Sequence, residues 1–97
     1  MPAIARLGDP CGGAIVASAT KMTVNGLPVA LGPAVIAGEP VAGDPIDGHG
    51  DSPHSNAELV QGSSKLTCEG RPVCVVGHAA SCGHTITVGS GNARAPL

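Results

Sequence analysis

From Lys21 the residues alternate polar and apolar, Lys21-Met22-Thr23-Val24, and after Asn25-Gly26 a second short apolar run follows, Leu27-Pro28-Val29. A period of two puts successive side chains on opposite faces of a strand. Asn-Gly between two such runs is a strong hairpin signal, because both residues tolerate the positive φ that a tight two-residue turn demands. The pattern therefore predicts a β-hairpin in which Val24 faces Leu27 and Met22 faces Val29. Proline just after the turn implies that its side of the ribbon donates no ladder bond there.

The same pattern returns as Lys65-Leu66-Thr67-Cys68-Glu69-Gly70-Arg71-Pro72-Val73, displaced by 44 positions (65 − 21), with Lys, Thr, Gly, Pro and Val recurring in place. Five matches in nine positions mark an internal repeat. Cys68 then faces Arg71 and Leu66 faces Val73. Met22, Val24, Val29, Leu66, Cys68 and Val73 line inner faces, while Lys21, Thr23, Lys65 and Thr67 point the other way.

The strand leading into each hairpin repeats as well. Cys11-Gly12-Gly13-Ala14-Ile15-Val16-Ala17-Ser18 aligns with Ser55–Gly62 at the same shift, and with Cys82–Gly89 at a shift of 71 (82 − 11). Three related strands, two of them with complete hairpins, suggest an all-β body with pseudo-threefold internal repeats. The third copy runs into Ser90–Leu97 without a turn of its own. We read one domain over 1–97, with repeat units at about 8–33, 52–78 and 79–97 and a loop at 34–51. Gly38-Glu39-Pro40 and Gly43-Asp44-Pro45 punctuate that loop, and its apolar stretch Val35-Ile36-Ala37 is expected to pack against the base or a partner.

Composition sharpens the picture. The 97 residues include no Phe, Tyr or Trp, so the core must come from Val, Ile, Leu, Met and Ala. A domain this small and this poor in bulky side chains calls for a staple. Fifteen glycines and nine prolines mark a turn-rich chain, and 42% hydrophobic residues argue for a folded one. The formal charge is −2 with no cluster of Lys or Arg, which speaks against a nucleic-acid partner. No segment has the pattern of a secretory signal or the length of an apolar membrane span. The chain is therefore expected to start in the cytoplasm, where four cysteines suggest metal binding or core packing before disulfides.

Metal is the staple the residues point to. In Ser81-Cys82-Gly83-His84 a thiol and an imidazole stand two positions apart, on one face of an extended strand, which is half of a tetrahedral zinc site. Asp47-Gly48-His49-Gly50-Asp51-Ser52-Pro53-His54 offers two more imidazoles in a bendable acidic loop. The ligand set is His49, His54, Cys82 and His84, with Cys11 the alternative to His84 in the fourth place. These candidates sit at or beside the starts of the repeat units. If the starts converge on a pseudo-axis, the site lies at one end of the molecule, the hairpins spread from it, and the implied shape is a cone. Cys68 and Cys74 fall where the first hairpin has Val24 and Ala30, so they read as small buried hydrophobes. His78 reads as a surface histidine in a turn. Four protein ligands leave no place for a water nucleophile, so the Zn2+ is structural and no catalytic residue is assigned.

Gly8-Asp9, Cys11-Gly12-Gly13, the two strand-Gly-x-Pro-Val hairpins, Gly62-Ser63, Ser81-Cys82-Gly83-His84 and Gly89-Ser90 together resemble the PAAR-repeat proteins that tip the type VI secretion spike. The resemblance covers essentially the whole chain, with Gly77-His78 standing where the family often has Gly-Asp. It implies a cone of short strands with zinc near its apex, held by histidines and cysteine. It implies that the base docks on the blunt end of a trimeric β-helical spike protein of the VgrG type, one tip per trimer, capping open strand edges. It also implies effector proteins as further partners, a transient contact with the target-cell membrane, and a path from the bacterial cytoplasm out of the cell or into the target cell. Two other readings carry the same ligands: a small zinc-dependent hydrolase using His49, His54 and Cys82 with an open fourth position, and a zinc-ribbon-like interaction module.

Overall fold

The computed structural model describes residues 2–17, 19–47, 50 and 57–95. Among these there is no helix, and the regular structure consists of three two-stranded antiparallel hairpins. The first joins β1 (Thr23–Val24) to β2 (Leu27–Pro28), with Thr23 opposite Pro28 and Val24 opposite Leu27. The second joins β3 (Ala34–Ile36) to β4 (Glu39–Val41). The third joins β5 (Thr67–Cys68) to β6 (Arg71–Pro72), with Cys68 opposite Arg71. All three turn through two residues of positive φ: Asn25-Gly26, Ala37-Gly38 and Glu69-Gly70. Two such residues give a turn whose twist matches that of the flanking strands.

The two hairpins expected at 21–29 and 65–73 are thus present in the expected register. The β3–β4 hairpin was not foreseen. It lies within the segment read as a loop, where Gly38-Glu39-Pro40 looked like turn punctuation. Ile36 lies over the open side of Gly70, where an added Cβ would meet its Cδ1 at van der Waals distance, while Val35 is 73% exposed.

Hydrogen bonds, more than hairpins, organise the interior. The Ala5 N–H donates to Cys74 O (3.0 Å), Cys74 N–H to Ala30 O (2.8 Å), and Ala30 N–H to Ala5 O (3.0 Å), closing a ring of three around a central axis. A second set runs round the axis in the opposite sense: Leu7 N–H to Pro28 O, Gly32 N–H to Pro72 O, and Val76 N–H to Ala3 O. Segments 3–7, 28–32 and 72–76 therefore form a three-sided core in which every buried peptide group named here finds a partner on a neighbour. Ala5, Ala30 and Cys74 stand at equivalent places and are fully buried. A crowded axis favours small side chains, which explains the size of these three.

The third side of this core has two sources. Its return strand is the N-terminal segment, which pairs with residues near the C-terminus: Ala3 bridges Arg94, Ile4 N–H donates to Ala93 O, and Ala95 N–H donates to Pro2 O. Val29 N–H to Met22 O and Val73 N–H to Leu66 O are the corresponding bonds in the other two units. The copy that runs into Ser90 without a turn is completed from the other end of the chain.

Two apolar clusters fill the interior. Ile4, Val29, Leu31, Cys68, Val73 and Val75 form one, with Met22, Val24 and Leu66 packed against it. Ile15, Ile46, Leu59, Ile86, Cys11 and Cys74 form the other, with Cys82 at its margin. The inner faces expected of both hairpins are found there, and Cys68 and Cys74 are buried free thiols.

Candidate metal centre

Beyond the second cluster, three antiparallel bridges each close a connection: Pro10 with Ala14, Pro45 with Glu58, and Ala79 with Thr85. The connections share one bond, Cys11 N–H to Gly13 O, Ile46 N–H to Ala57 O, and Ala80 N–H to His84 O. They differ in length: residues 11–13, 46–57 and 80–84 lie inside them. Cys11 belongs to the first, His49 and His54 to the second, and Cys82 and His84 to the third. Among the described residues, the pseudo-repeat thus brings the first connection, with Cys11, against the third, with His84.

Cys82 Sγ lies 3.4 Å from His84 Nδ1, on an exposed part of the loop. A tetrahedral zinc with Zn–S near 2.3 Å and Zn–N near 2.0–2.1 Å would hold sulfur and nitrogen about 3.5 Å apart. The pair fits such an ion. Gly83 turns the chain between them with φ +93, a conformation glycine adopts without strain.

Gly12 makes room for the imidazole. A Cβ at Gly12 would fall on the His84 ring, so the ring rests directly over the backbone of the first connection. Cys11 lies beneath. Its fully buried thiol is directed at His84 O, with the sulfur 3.7 Å away. Burial, reinforced by the neighbouring Cys82, pushes that thiol up to about 11. His84 thus touches Cys82 through its ring and Cys11 through its backbone carbonyl. Among the described residues no cluster of three or more His, Cys, Asp or Glu is poised for a metal. His49 and His54 lie outside the described residues.

His78 departs from expectation. It is not a surface histidine: only 6% of it is exposed, and its Nδ1 accepts the Val75 N–H at 3.1 Å. The signal that could have placed it was internal. Arg6-Leu7-Gly8-Asp9 and Val75-Val76-Gly77-His78 occupy matching turns, and Asp9 is buried too.

Arg71 is the other residue whose role the sequence concealed. Its guanidinium donates to Gly32 O, Leu31 O and Ala42 O and pairs with Asp44 at 3.2 Å. It fastens the neck from which β3–β4 projects.

A family model described as PAAR motif matches residues 8–88, which takes in all three hairpins and all three connections. No curated protein matches the chain.

Proposed function

The chain belongs to the PAAR-motif family, a structural family associated with type VI secretion spike tips, and we propose that it is the tip itself, seated on a trimeric β-helical spike of the VgrG type. The observation that carries this reading is the ring of three backbone bonds through Ala5, Ala30 and Cys74. One chain that repeats its backbone three times about an axis can offer a threefold partner three similar contacts. Seating would use strand addition, with hairpin edges of the tip covering open edges of the spike.

In this reading Cys82 and His84, with His49 and His54, hold a structural Zn2+ near the apex. Zinc supplies a crosslink between connections drawn from distant stretches of the chain. Gly12 gives the imidazole its seat, and Cys11 fixes the backbone behind it. The protein assembles on the spike in the bacterial cytoplasm and leaves with it, as a stiff point that aids membrane puncture and the delivery of effector proteins.

The test is to mix the purified protein with a trimeric β-helical spike fragment and to measure mass and zinc content together. One tip per trimer and one zinc per tip are expected. Three tips per trimer, or no complex, would overturn the docking. A His84→Ala variant addresses the site: a structural centre loses zinc and melts at lower temperature, whereas retention of both would favour an open, hydrolytic metal.

A further inference from the structure

Three turns of this fold are fastened by the same clasp, made from two different chemistries. In the first, the Asp9 carboxylate accepts the Arg6 N–H at 2.7 Å while Asp9 N–H donates to Arg6 O at 3.0 Å. In the second, the Asp44 carboxylate accepts the Leu31 N–H at 2.8 Å while Asp44 N–H donates to Leu31 O at 2.8 Å. In the third, His78 Nδ1 accepts the Val75 N–H at 3.1 Å while His78 N–H donates to Val75 O at 3.1 Å. All three clasping side chains are buried. Each carboxylate is also paired with an arginine, Asp9 with Arg6 and Asp44 with Arg71.

A carboxylate clasps in its charged form. An imidazole clasps only while the accepting nitrogen carries no proton, because a protonated Nδ1 is a donor. Protonating His78 would set donor against donor at the Val75 N–H, and Val75 is fully buried, with no water to turn to.

We propose that His78 is an acid-released clasp, which on protonation frees the Val75 N–H and loosens the one turn that joins the central segment 72–76 to the Cys82–His84 loop. The connection is direct, since Gly77 N–H donates to Ile86 O and Ile86 N–H donates to His78 O. Histidine is the side chain whose ordinary titration falls between about pH 5 and 8. One third of the apex would therefore respond to mild acid while the other two clasps hold.

Several ionisable groups stand on the elements around His78. Cys74 is on its own segment, Arg6 and Asp9 are on the segment beside it, Arg94 is on the strand bridging Ala3, and Glu58 is on the segment paired with Ala79 and Ala80. Cys82 and His84 are on the loop that follows. Burial alone pulls the proton affinity of His78 below that of an exposed histidine. The unfolded chain then binds more protons than the folded one between the two values, so stability rises with pH across that interval. The clasp contributes fully above the ordinary histidine value of about 6.5, and its contribution is lost as pH falls through that value toward the lower, folded one.

The test compares thermal melting of the full chain with that of His78→Asn, whose side-chain oxygen accepts the Val75 N–H at every pH. Between about pH 7.5 and pH 5.5 the parent should lose about 4 °C or more of Tm beyond any loss in the variant. His49, His54 and His84 are common to both proteins and cancel in that difference. Equal slopes would overturn the proposal. A second measurement needs no variant: amide exchange at Val75, corrected for intrinsic rate, is compared with the ring amides of Ala5 and Ala30. Selective loss of protection at Val75 in mild acid is expected, and parallel behaviour of the three amides would refute it.

Discussion

A methyl group on Gly12 would overlap His84 Nδ1, and Gly12 itself has φ +81. Both facts forbid a side chain, but they act on different things. The positive φ costs folding roughly 1 kcal/mol when alanine replaces glycine. The clash acts on the imidazole, which is exposed and can swing away from Cys82. Gly12→Ala should therefore lower the melting temperature modestly and weaken zinc uptake sharply, about tenfold or more, in competition with a chromogenic chelator. A variant that melts early yet takes up zinc as the parent does would show that His84 does not need its seat over the first connection. Cys82 and His84 were legible as a pair because their spacing is local. The burial of His78 was not, since it depends on which strands close over the turn.

At the scale of elements, β3–β4 is an insertion with a closed neck. Arg6 and Asp9 are three positions apart, as are Val75 and His78, but Leu31 and Asp44, which make the same two bonds, are thirteen apart. The hairpin lies between them without disturbing either bond. Removing residues 33–42 leaves Leu31-Gly32-Gly43-Asp44, the length of the other two turns, with glycine where Gly8 and Gly77 adopt positive φ. The shortened chain should fold with Tm within about 5 °C of the parent, because a shorter loop costs less to close and the lost side chains are mostly exposed. Failure to fold would mean that Arg71, which also donates to Ala42 O, needs the whole neck to hold Asp44. The two hairpins at 23–28 and 67–72 were readable in the sequence because alternation and a two-residue turn are both local signals. The hairpin at 34–41 carries Ala37-Gly38 at its turn and Pro40 in its strand, which the same signals do not favour.

The molecule as a whole is a cyclic arrangement written on a linear chain. Thr23 faces Pro28 and Thr67 faces Pro72 across hairpin turns, and Arg94 faces Ala3 in the same way with no turn between them. Joining Ala95 to Pro2 through Asn-Gly supplies that turn, and opening the chain between Ala37 and Gly38 places new ends on an exposed hairpin tip. The permuted protein should fold with Tm within about 5 °C of the parent, since no buried bond named above is cut. An unfolded or aggregated product would show that the order of the chain, and not the cycle of contacts, selects this structure.

The sequence by itself determined the hairpin registers, the inward faces of Met22, Val24, Leu66 and Cys68, and the approach of Cys82 to His84. Each follows from the alternation of side chains along a strand and from turns only a few residues wide. Tertiary structure alone decided that residues 2–6 complete the third unit, that Ala5, Ala30 and Cys74 close a hydrogen-bonded ring, and that His78 does buried work that Asp9 and Asp44 do elsewhere. Those outcomes join residues far apart in the chain, because a buried peptide group must take its partner from whichever segment the fold brings beside it.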